Sequence, residues 1–225
     1  DHARESTGAF YDYHRTYLLE LMTLFPEERM SGVAKMLLSQ SSLPSMSSNN
    51  NYFADFLYNP PVMPSYNLSE LATAYWGSGT GQFPTRSSWE KSATYANFIH
   101  RDQGSFVLFK NSWLAMDANI QSHSGIEQNE QMHNLVRIEQ AGETVIQRVE
   151  RSPCTMLALA DNSYFSYGLA DVTPIYDNHP AVGKVEREFL FIKPDTFVIF
   201  DRVVTAGDGV KRIWTLNTPG MPTID

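Results

Sequence analysis

The chain has 225 residues, of which 42% are hydrophobic and 19% are charged, and its formal net charge is −8. This composition is typical of a globular protein with one large core or two small ones, and no apolar run is long enough for a membrane span. The acidic balance, without a Lys/Arg cluster, argues against a nucleic-acid binder. Cys154 is the single cysteine, which excludes a disulfide framework within the chain and is compatible with the cytoplasm or the periplasm.

Residues 1–76 have the pattern of helices. Apolar and aromatic side chains recur every three or four residues, which predicts a helix with one apolar face. That face consists of Phe10, Tyr13, Tyr17, Leu21 and Leu24. Pro26 ends this helix and opens a second one with the same spacing. The apolar positions of the second helix are Met30, Val33, Leu37 and Leu38. Ser69 has the side chain of a helix N-cap and predicts a short helix that runs to Trp76.

After Pro84 the pattern becomes that of β-strands. Two apolar runs, residues 185–193 and 196–204, are joined by the turn sequence Lys193-Pro194-Asp195-Thr196 and predict a β-hairpin. Further strand-like runs lie at residues 105–110, 135–139, 143–150 and 211–216. Short strands without helices between them predict an antiparallel sandwich. The fold class is therefore α+β, with a helical segment over residues 1–80 and an antiparallel β-sandwich over residues 81–225.

Three potential metal ligands accompany these strands. We expect His100, Asp117 and His133 on consecutive strands of one sheet. Two imidazoles and a carboxylate are a suitable ligand set for a divalent metal such as zinc. Spacing alone leaves an alternative open, in which both histidines are half-buried and hydrogen-bonded and Asp117 is a turn residue.

The residues around these positions form motifs of a known family. The motifs are Arg86-Ser-Ser-Trp89, His100-Arg-Asp-Gln-Gly-Ser-Phe106, Trp113-Leu-Ala-Met-Asp117, His133-Asn134 and Lys211-Arg-Ile-Trp-Thr-Leu216. With the predicted hairpin, they make the segment from Phe83 to Thr218 resemble the β-sandwich of the heparinase II/III-like polysaccharide lyases. In such proteins the sandwich packs against an incomplete α/α toroid, and the helical segment resembles the last part of that toroid.

The resemblance implies an activity, a partner and a cofactor. The family cleaves acidic polysaccharides by β-elimination, so the expected partner is a uronate-containing glycan such as alginate, ulvan or a glycosaminoglycan. His100, Asp117 and His133 match positions that hold a metal in several members. The resemblance therefore implies Zn²⁺ or another divalent metal, mainly in a structural role.

The resemblance also implies catalytic residues. Family members typically use a Tyr with a His, and an Asn, His or Arg near the substrate carboxylate. Residues 1–15 contain the side-chain types Tyr, His and Arg, with Tyr11 or Tyr13 as the acid/base tyrosine. The neighbouring candidates are His2, His14 and Arg15. Structurally, Tyr13 and Tyr17 are equally well explained as core aromatic residues on the helix face.

Four further residues are candidates for binding the substrate: Glu5, Arg86, Arg101 and His123. The two arginines match carboxylate or sulfate groups, since a guanidinium binds such groups through two hydrogen bonds. Either arginine would equally fit a structural ion pair, and His123 would fit a surface loop.

One position departs from the family pattern. Many relatives carry a catalytic histidine two positions before the equivalent of His100, and here that position is Phe98. Either His123 or His14 replaces this histidine, or the protein binds polysaccharide without elimination. The alternatives to a lyase are therefore a non-catalytic carbohydrate-binding or structural sandwich and a uronyl epimerase that abstracts the same proton.

The chain begins at Asp1 and has no signal-peptide pattern. We therefore expect a piece of a longer or processed protein. The resemblance implies that this protein is periplasmic or secreted.

Overall fold

The computed structural model describes residues 12–40, 54–99, 104–116, 133–145 and 154–221. The chain forms two compact units, Asp1–Leu71 and Ala72–Asp225. In these described ranges, no helix is long and apolar enough to cross a membrane.

The first unit is helical where it is described. It contains α1 (Asp12–Leu24), α2 (Arg29–Gln40) and the short α3 (Ala54–Leu57). The turn between α1 and α2 is fixed by Ser31, whose buried hydroxyl donates to the carbonyl of Phe25 over 2.5 Å. The same carbonyl accepts from the Glu28 amide over 3.1 Å, so two hydrogen bonds to one oxygen hold the turn.

The buried face of α1 differs from the predicted one. The core of this unit consists of Leu18, Met22, Ala34 and Met63. Tyr17 is 63% exposed and Leu24 is also exposed, although both belong to the predicted apolar face. The helix carries apolar residues around much of its circumference, so the spacing indicated a helix but did not identify the side that meets α2.

The short helix predicted from Ser69 to Trp76 is wrong. A single 3₁₀ turn (Leu68–Glu70) takes its place, and Asn67 caps it by accepting a hydrogen bond from the Ser69 amide. The following residues are extended, because Ala74 and Gly77 pair with Thr85 and Gln82 in the second unit. The boundary between the units accordingly falls after Leu71, whereas the sequence pattern placed it after residue 80.

The second unit consists of antiparallel strands. The first sheet has the order β1-β2-β3-β4. Its strands are β1 (Gln82–Arg86), β2 (Tyr95–Ile99), β3 (Ser105–Lys110) and β4 (Ser112–Ala115). After β4 the chain forms β5 (Val136–Gln140) and β6 (Glu143–Thr144), which belong to a small sheet that we call the third. The last strand, β11 (Val210–Trp214), completes this sheet in the order β11-β5-β6.

The second sheet has the order β10-β9-β8-β7. Its strands are β7 (Thr155–Asp161), β8 (Phe165–Asp171), β9 (Val182–Ile192) and β10 (Thr196–Thr205). The predicted hairpin is confirmed as β9 and β10, which pair from Ile192 and Thr196 onward.

The sheets share one apolar core. Phe98 of the first sheet stacks on Phe189 of the second at 5.7 Å between ring centroids, and Ile138 of the third sheet belongs to the same buried cluster. Packing of sheets face to face through alternate side chains is the arrangement of a β-sandwich. The antiparallel β-structure predicted for this part of the chain is therefore confirmed.

The prediction that three consecutive strands of one sheet carry the metal ligands is wrong. β2 ends at Ile99 and β4 ends at Ala115, both in the first sheet, whereas His133 precedes β5 of the third sheet. The polar segment between β4 and β5 separates two sheets rather than two neighbouring strands.

Candidate functional site

A buried asparagine connects the ends of strands near the predicted metal ligands. The side-chain amide nitrogen of Asn134 donates to the backbone carbonyls of Phe106 (2.8 Å) and Met116 (2.9 Å). Its backbone amide donates to the Ser105 hydroxyl (3.1 Å), and its side-chain oxygen accepts from the Asn217 amide (2.6 Å). We call these five residues the Asn134 network. The network holds the first sheet, the start of β5 and the segment after β11 in one place.

His133 lies directly beside this network and is only 1% exposed. Because Asn134 is bonded to Met116, the backbone that follows His133 is held against the backbone that precedes Asp117. His100 and Asp117 themselves lie outside the described residues. Among the described residues, no group of three or more His, Cys, Asp or Glu side chains is arranged to hold a metal ion.

A buried ion pair supports the same region. Arg187 donates to both carboxylate oxygens of Asp201, over 2.7 and 2.9 Å, and is 2% exposed. Its remaining terminal nitrogen donates to the carbonyls of Gly104 (2.8 Å) and Asn134. The Trp214 indole donates to Asp201 over 3.0 Å. Every charge in this cluster has several partners, as buried charges require.

Sequence reasoning did not identify this ion pair. A signal was nevertheless present, because Arg187 has the same parity in its strand as the buried residues Phe189 and Phe191. A charged residue at an inward position of an alternating strand requires a buried partner.

Phe98 is a core residue, fully buried between the two large sheets. A histidine at this position would be buried in an apolar cluster and would not face a substrate. Phe98 is thus explained by packing, and replacing it with histidine would not create a catalytic group.

Arg86 lines a small cavity in the second unit. The cavity has a volume of about 110 Å³ and is bounded by β1, by Tyr95 of β2, by Trp89 and by the extended segment 72–75. The Arg86 guanidinium lies 4.2 Å from the centre of the Trp89 ring, and its Nε donates to the Ser88 carbonyl over 2.6 Å. Residues 86–89, one of the family-like motifs, therefore form a compact stacked turn.

The electrostatics of this cavity reflect its partial burial. Burial lowers the pKa of the Arg86 guanidinium from its usual value, but an arginine stays protonated at neutral pH. Burial also raises the pKa of the Tyr95 phenol, and the nearby positive charge of Arg86 partly offsets this rise. The cavity thus combines a fixed positive charge with neutral aromatic walls.

A larger cavity of about 640 Å³ lies at another edge of the second unit. Its lining includes Glu143, Asp177 and Asp208 together with His179. The His179 Nδ1 accepts a hydrogen bond from the Ala181 amide over 3.2 Å. The carboxylates would repel a polyanion, so this cavity is poorly suited to an acidic glycan.

The predicted catalytic residues belong to the helical unit, and three of the five lie on α1. His14 and Arg15 lie on α1 and are partly buried. Tyr13 is placed on the same helix by its backbone. Five further predicted site residues lie outside the described residues: His2, Glu5, Tyr11, Arg101 and His123.

The comparisons with known proteins concern the fold. No protein-family model and no curated protein matches the chain. Among solved structures, the chain is similar to heparan sulfate lyase HepC from Pedobacter heparinus and to a mutant of that enzyme. Each comparison gives a TM-score of 0.56 and 15% sequence identity over 92% of this chain. The chain has a heparinase-like fold.

The heparinase-like fold is shared with only part of the solved enzyme. The chain spans 30% of the length of the HepC chain. At 15% identity the likeness concerns the fold, and the residues of this chain that carry chemistry must be argued from their own positions.

Proposed function

We propose that this chain is part of a polysaccharide lyase that cleaves a uronate-containing acidic polysaccharide by β-elimination. The observation that carries the proposal is the heparinase-like fold, which extends over 92% of the chain. The helical unit would be the end of an α/α toroid, and the protein would act outside the cytoplasm, where such polysaccharides occur.

Elimination requires three actions on the substrate. The uronate carboxylate is neutralised so that the adjacent proton becomes acidic, a base removes that proton, and an acid protonates the departing glycosidic oxygen. Tyr11 or Tyr13 is the proposed acid/base group. The proposed neighbours are His2, His14 and Arg15, which would assist proton transfer and offset the carboxylate charge. Glu5, Arg101 and His123 would contact the sugar.

We propose that His100, Asp117 and His133 hold a zinc ion. Imidazole nitrogens and a carboxylate oxygen fit the donor preferences of zinc. The burial of His133 and the bond between Asn134 and Met116 support this set, because they bring the chain next to two of the three ligands together. The metal would join the residues before and after segment 119–131, and its role would be structural.

Metal analysis of the purified protein tests the zinc proposal. We expect about one equivalent of divalent metal and a lower melting temperature after chelation. His133→Ala should abolish both the metal content and the response to the chelator. His179→Ala, which changes a histidine of the same unit outside the proposed site, is the matched control and should retain both. A protein without metal, whose melting temperature ignores chelators, would contradict the proposal.

Elimination is tested by the ultraviolet absorbance of the unsaturated uronate product across a panel of polysaccharides. We expect activity on at least one acidic glycan and a strong loss in either Tyr11→Phe or Tyr13→Phe. Tyr17→Phe is the matched control, because Tyr17 is an exposed tyrosine on α1, the helix that carries Tyr13. Full activity of both variants, with normal folding, would remove the tyrosines from the mechanism.

A non-catalytic glycan-binding sandwich is the second candidate function. It is favoured by Phe98, because a buried core phenylalanine stands where many relatives of the resembling family carry a catalytic histidine. Binding of an acidic glycan without any new ultraviolet absorbance, and without a change of sugar configuration by NMR, would favour this candidate over both a lyase and an epimerase.

A further inference from the structure

A row of large side chains crosses the outer face of the first sheet. The strand register pairs Arg86 with Tyr95, Tyr95 with Phe109, and Phe109 with Trp113. Directly paired residues project from the same face of a sheet. This face is opposite the core, because Ala96 and Phe98, which have the opposite parity to Tyr95 in β2, are fully buried in the core. The row spans three strand spacings, or about 14 Å.

The row combines aromatic surface with exposure. Trp113 is 44% exposed, and its ring meets Phe109 edge-on at 5.4 Å between centroids. Tyr75, which borders the cavity beside Arg86, is 71% exposed. Aromatic rings at this level of exposure offer flat apolar surfaces on which a sugar ring can lie.

Arg86 differs from the other arginines that lie over aromatic rings. Arg29, Arg187 and Arg202 each also pair with a carboxylate. Within the described part of the chain, Arg86 has no such partner, and its side chain contacts the Ser88 carbonyl and the Trp89 ring. Its two terminal nitrogens are therefore available to an external anion, and the stack on Trp89 holds the guanidinium plane in place.

The size of the cavity limits what can enter it. The cavity volume of about 110 Å³ is roughly four times the volume that one water molecule occupies in liquid water. A carboxylate or sulfate group therefore fits into the cavity. A whole sugar ring would remain outside, over the neighbouring aromatic side chains.

We propose that this row is a subsite for an acidic sugar chain. Arg86 binds one carboxylate or sulfate group in the cavity, and Tyr95, Phe109 and Trp113 contact the sugar rings that follow it across the strands. The identity of the ligand as an acidic glycan rests on the proposed function, whereas the site itself rests on the geometry of the first sheet. The subsite would fix the position and length of glycan that the protein prefers.

Isothermal titration calorimetry with alginate and heparin oligosaccharides tests the proposal, with neutral cello-oligosaccharides as the uncharged comparison. Arg86→Gln should weaken binding of the acidic oligosaccharides by about tenfold to a hundredfold, because a charge-assisted hydrogen bond is lost. Arg86→Lys should recover only part of the affinity, since an ammonium lacks the planar pair of donors.

Arg202→Gln is the matched control. It removes an arginine that is also stacked on an aromatic ring, Phe200, but lies on the second sheet and pairs with Glu188. Its affinity should stay within about twofold of the unmodified protein. Trp113→Ala should weaken long oligosaccharides but not a single uronate sugar, because only the longer chains reach β4.

Each outcome is decisive. A loss for alginate alone identifies a carboxylate as the bound group, a loss for heparin alone identifies a sulfate, and a loss for both identifies their shared charge. Equal binding by Arg86→Gln and the unmodified protein, equal binding of neutral chains, or no binding of any acidic chain would overturn the subsite. Elimination activity is measured separately. Binding that depends on Arg86 without elimination would refute the lyase and support the subsite. Elimination with an unchanged KM in Arg86→Gln would support the lyase and refute the subsite.

Discussion

Gly32 of α2 lies where the ring of Tyr66 leaves no space for a side chain. A methyl group at this position would lie 2.2 Å from Tyr66 Cδ2 and 2.9 Å from the Pro64 carbonyl oxygen. We expect Gly32→Ala to destabilise the protein by about 1–3 kcal/mol, because the Tyr66 ring and its backbone must shift. Urea denaturation followed by circular dichroism measures the change.

Gly79→Ala is the control for this variant, since no heavy atom lies within 4 Å of a methyl group placed there. Its stability should differ by less than about 0.5 kcal/mol. Equal stabilities of the two variants would show that the close contact with Tyr66 is readily relieved.

Cys154 is buried directly before β7, and its thiol is predicted to be unreactive in the folded protein. Burial, with a smaller contribution from the negative charge of Asp171, raises the pKa of this thiol to about 12. At pH 8 the reactive thiolate is therefore about a thousandfold rarer than in the unfolded chain. A disulfide reagent should modify Cys154 rapidly in concentrated guanidinium and at least a hundredfold more slowly in buffer.

The same shift has a consequence for stability at alkaline pH. The folded-state pKa lies above the unfolded-state value, so the unfolded chain releases the proton more readily. The contribution of this thiol to stability is complete below about pH 9 and declines as the pH rises toward 12. Fast modification of the native protein at pH 8 would contradict the assignment of Cys154 to the core.

At the scale of the elements, the β9–β10 pair depends on the ion pair between Arg187 and Asp201. Asp201→Asn would leave the Arg187 charge buried without a counter-charge, and we expect a loss of about 3–5 kcal/mol. Urea denaturation provides the measurement. Glu188→Gln breaks the exposed ion pair with Arg202 on the same strands, and should reduce stability by less than about 1 kcal/mol. A similar loss in both variants would mean that burial of the pair has no special importance.

The sequence predicted some elements well for identifiable reasons. The β9–β10 hairpin was evident because two apolar runs flank a turn sequence. β7 and β8 were not predicted, because Ala158, Ala160, Gly168 and other small or polar residues give them little strand propensity. Their place in the sheet is instead determined by pairing with β9, a tertiary contact that single-sequence patterns do not record.

The candidate site was predictable to a similar extent. The motif of residues 86–89 identified Arg86 and Trp89, which the structure brings into contact. Tyr75 was assigned to a helix that does not form, so its place beside Arg86 was missed. That proximity arises from the pairing of Ala74 with Thr85, which local propensity opposes.

At the scale of the whole molecule, the two units differ in the size of their cores. The described core of the second unit includes sixteen buried apolar residues from all three sheets, whereas that of the first contains four. We expect a fragment of residues 72–225 to fold alone and to unfold in one cooperative transition with a β-rich spectrum. A fragment of residues 1–71, whose core among the described residues is this small, should show no such transition. A non-cooperative 72–225 fragment would show that the sandwich needs the helical unit.

The Asn134 network also constrains the order in which the sandwich can assemble. Its side-chain bonds join residues that are 18, 28 and 83 positions apart in the chain. Contacts over such separations require the closure of long loops, whereas the β9–β10 hairpin closes locally. The network is therefore expected to form after the hairpins, on the native side of the folding barrier. Its bonds would then hardly affect how fast the chain folds but would strongly slow its unfolding, so that a single amide governs the lifetime of the folded sandwich.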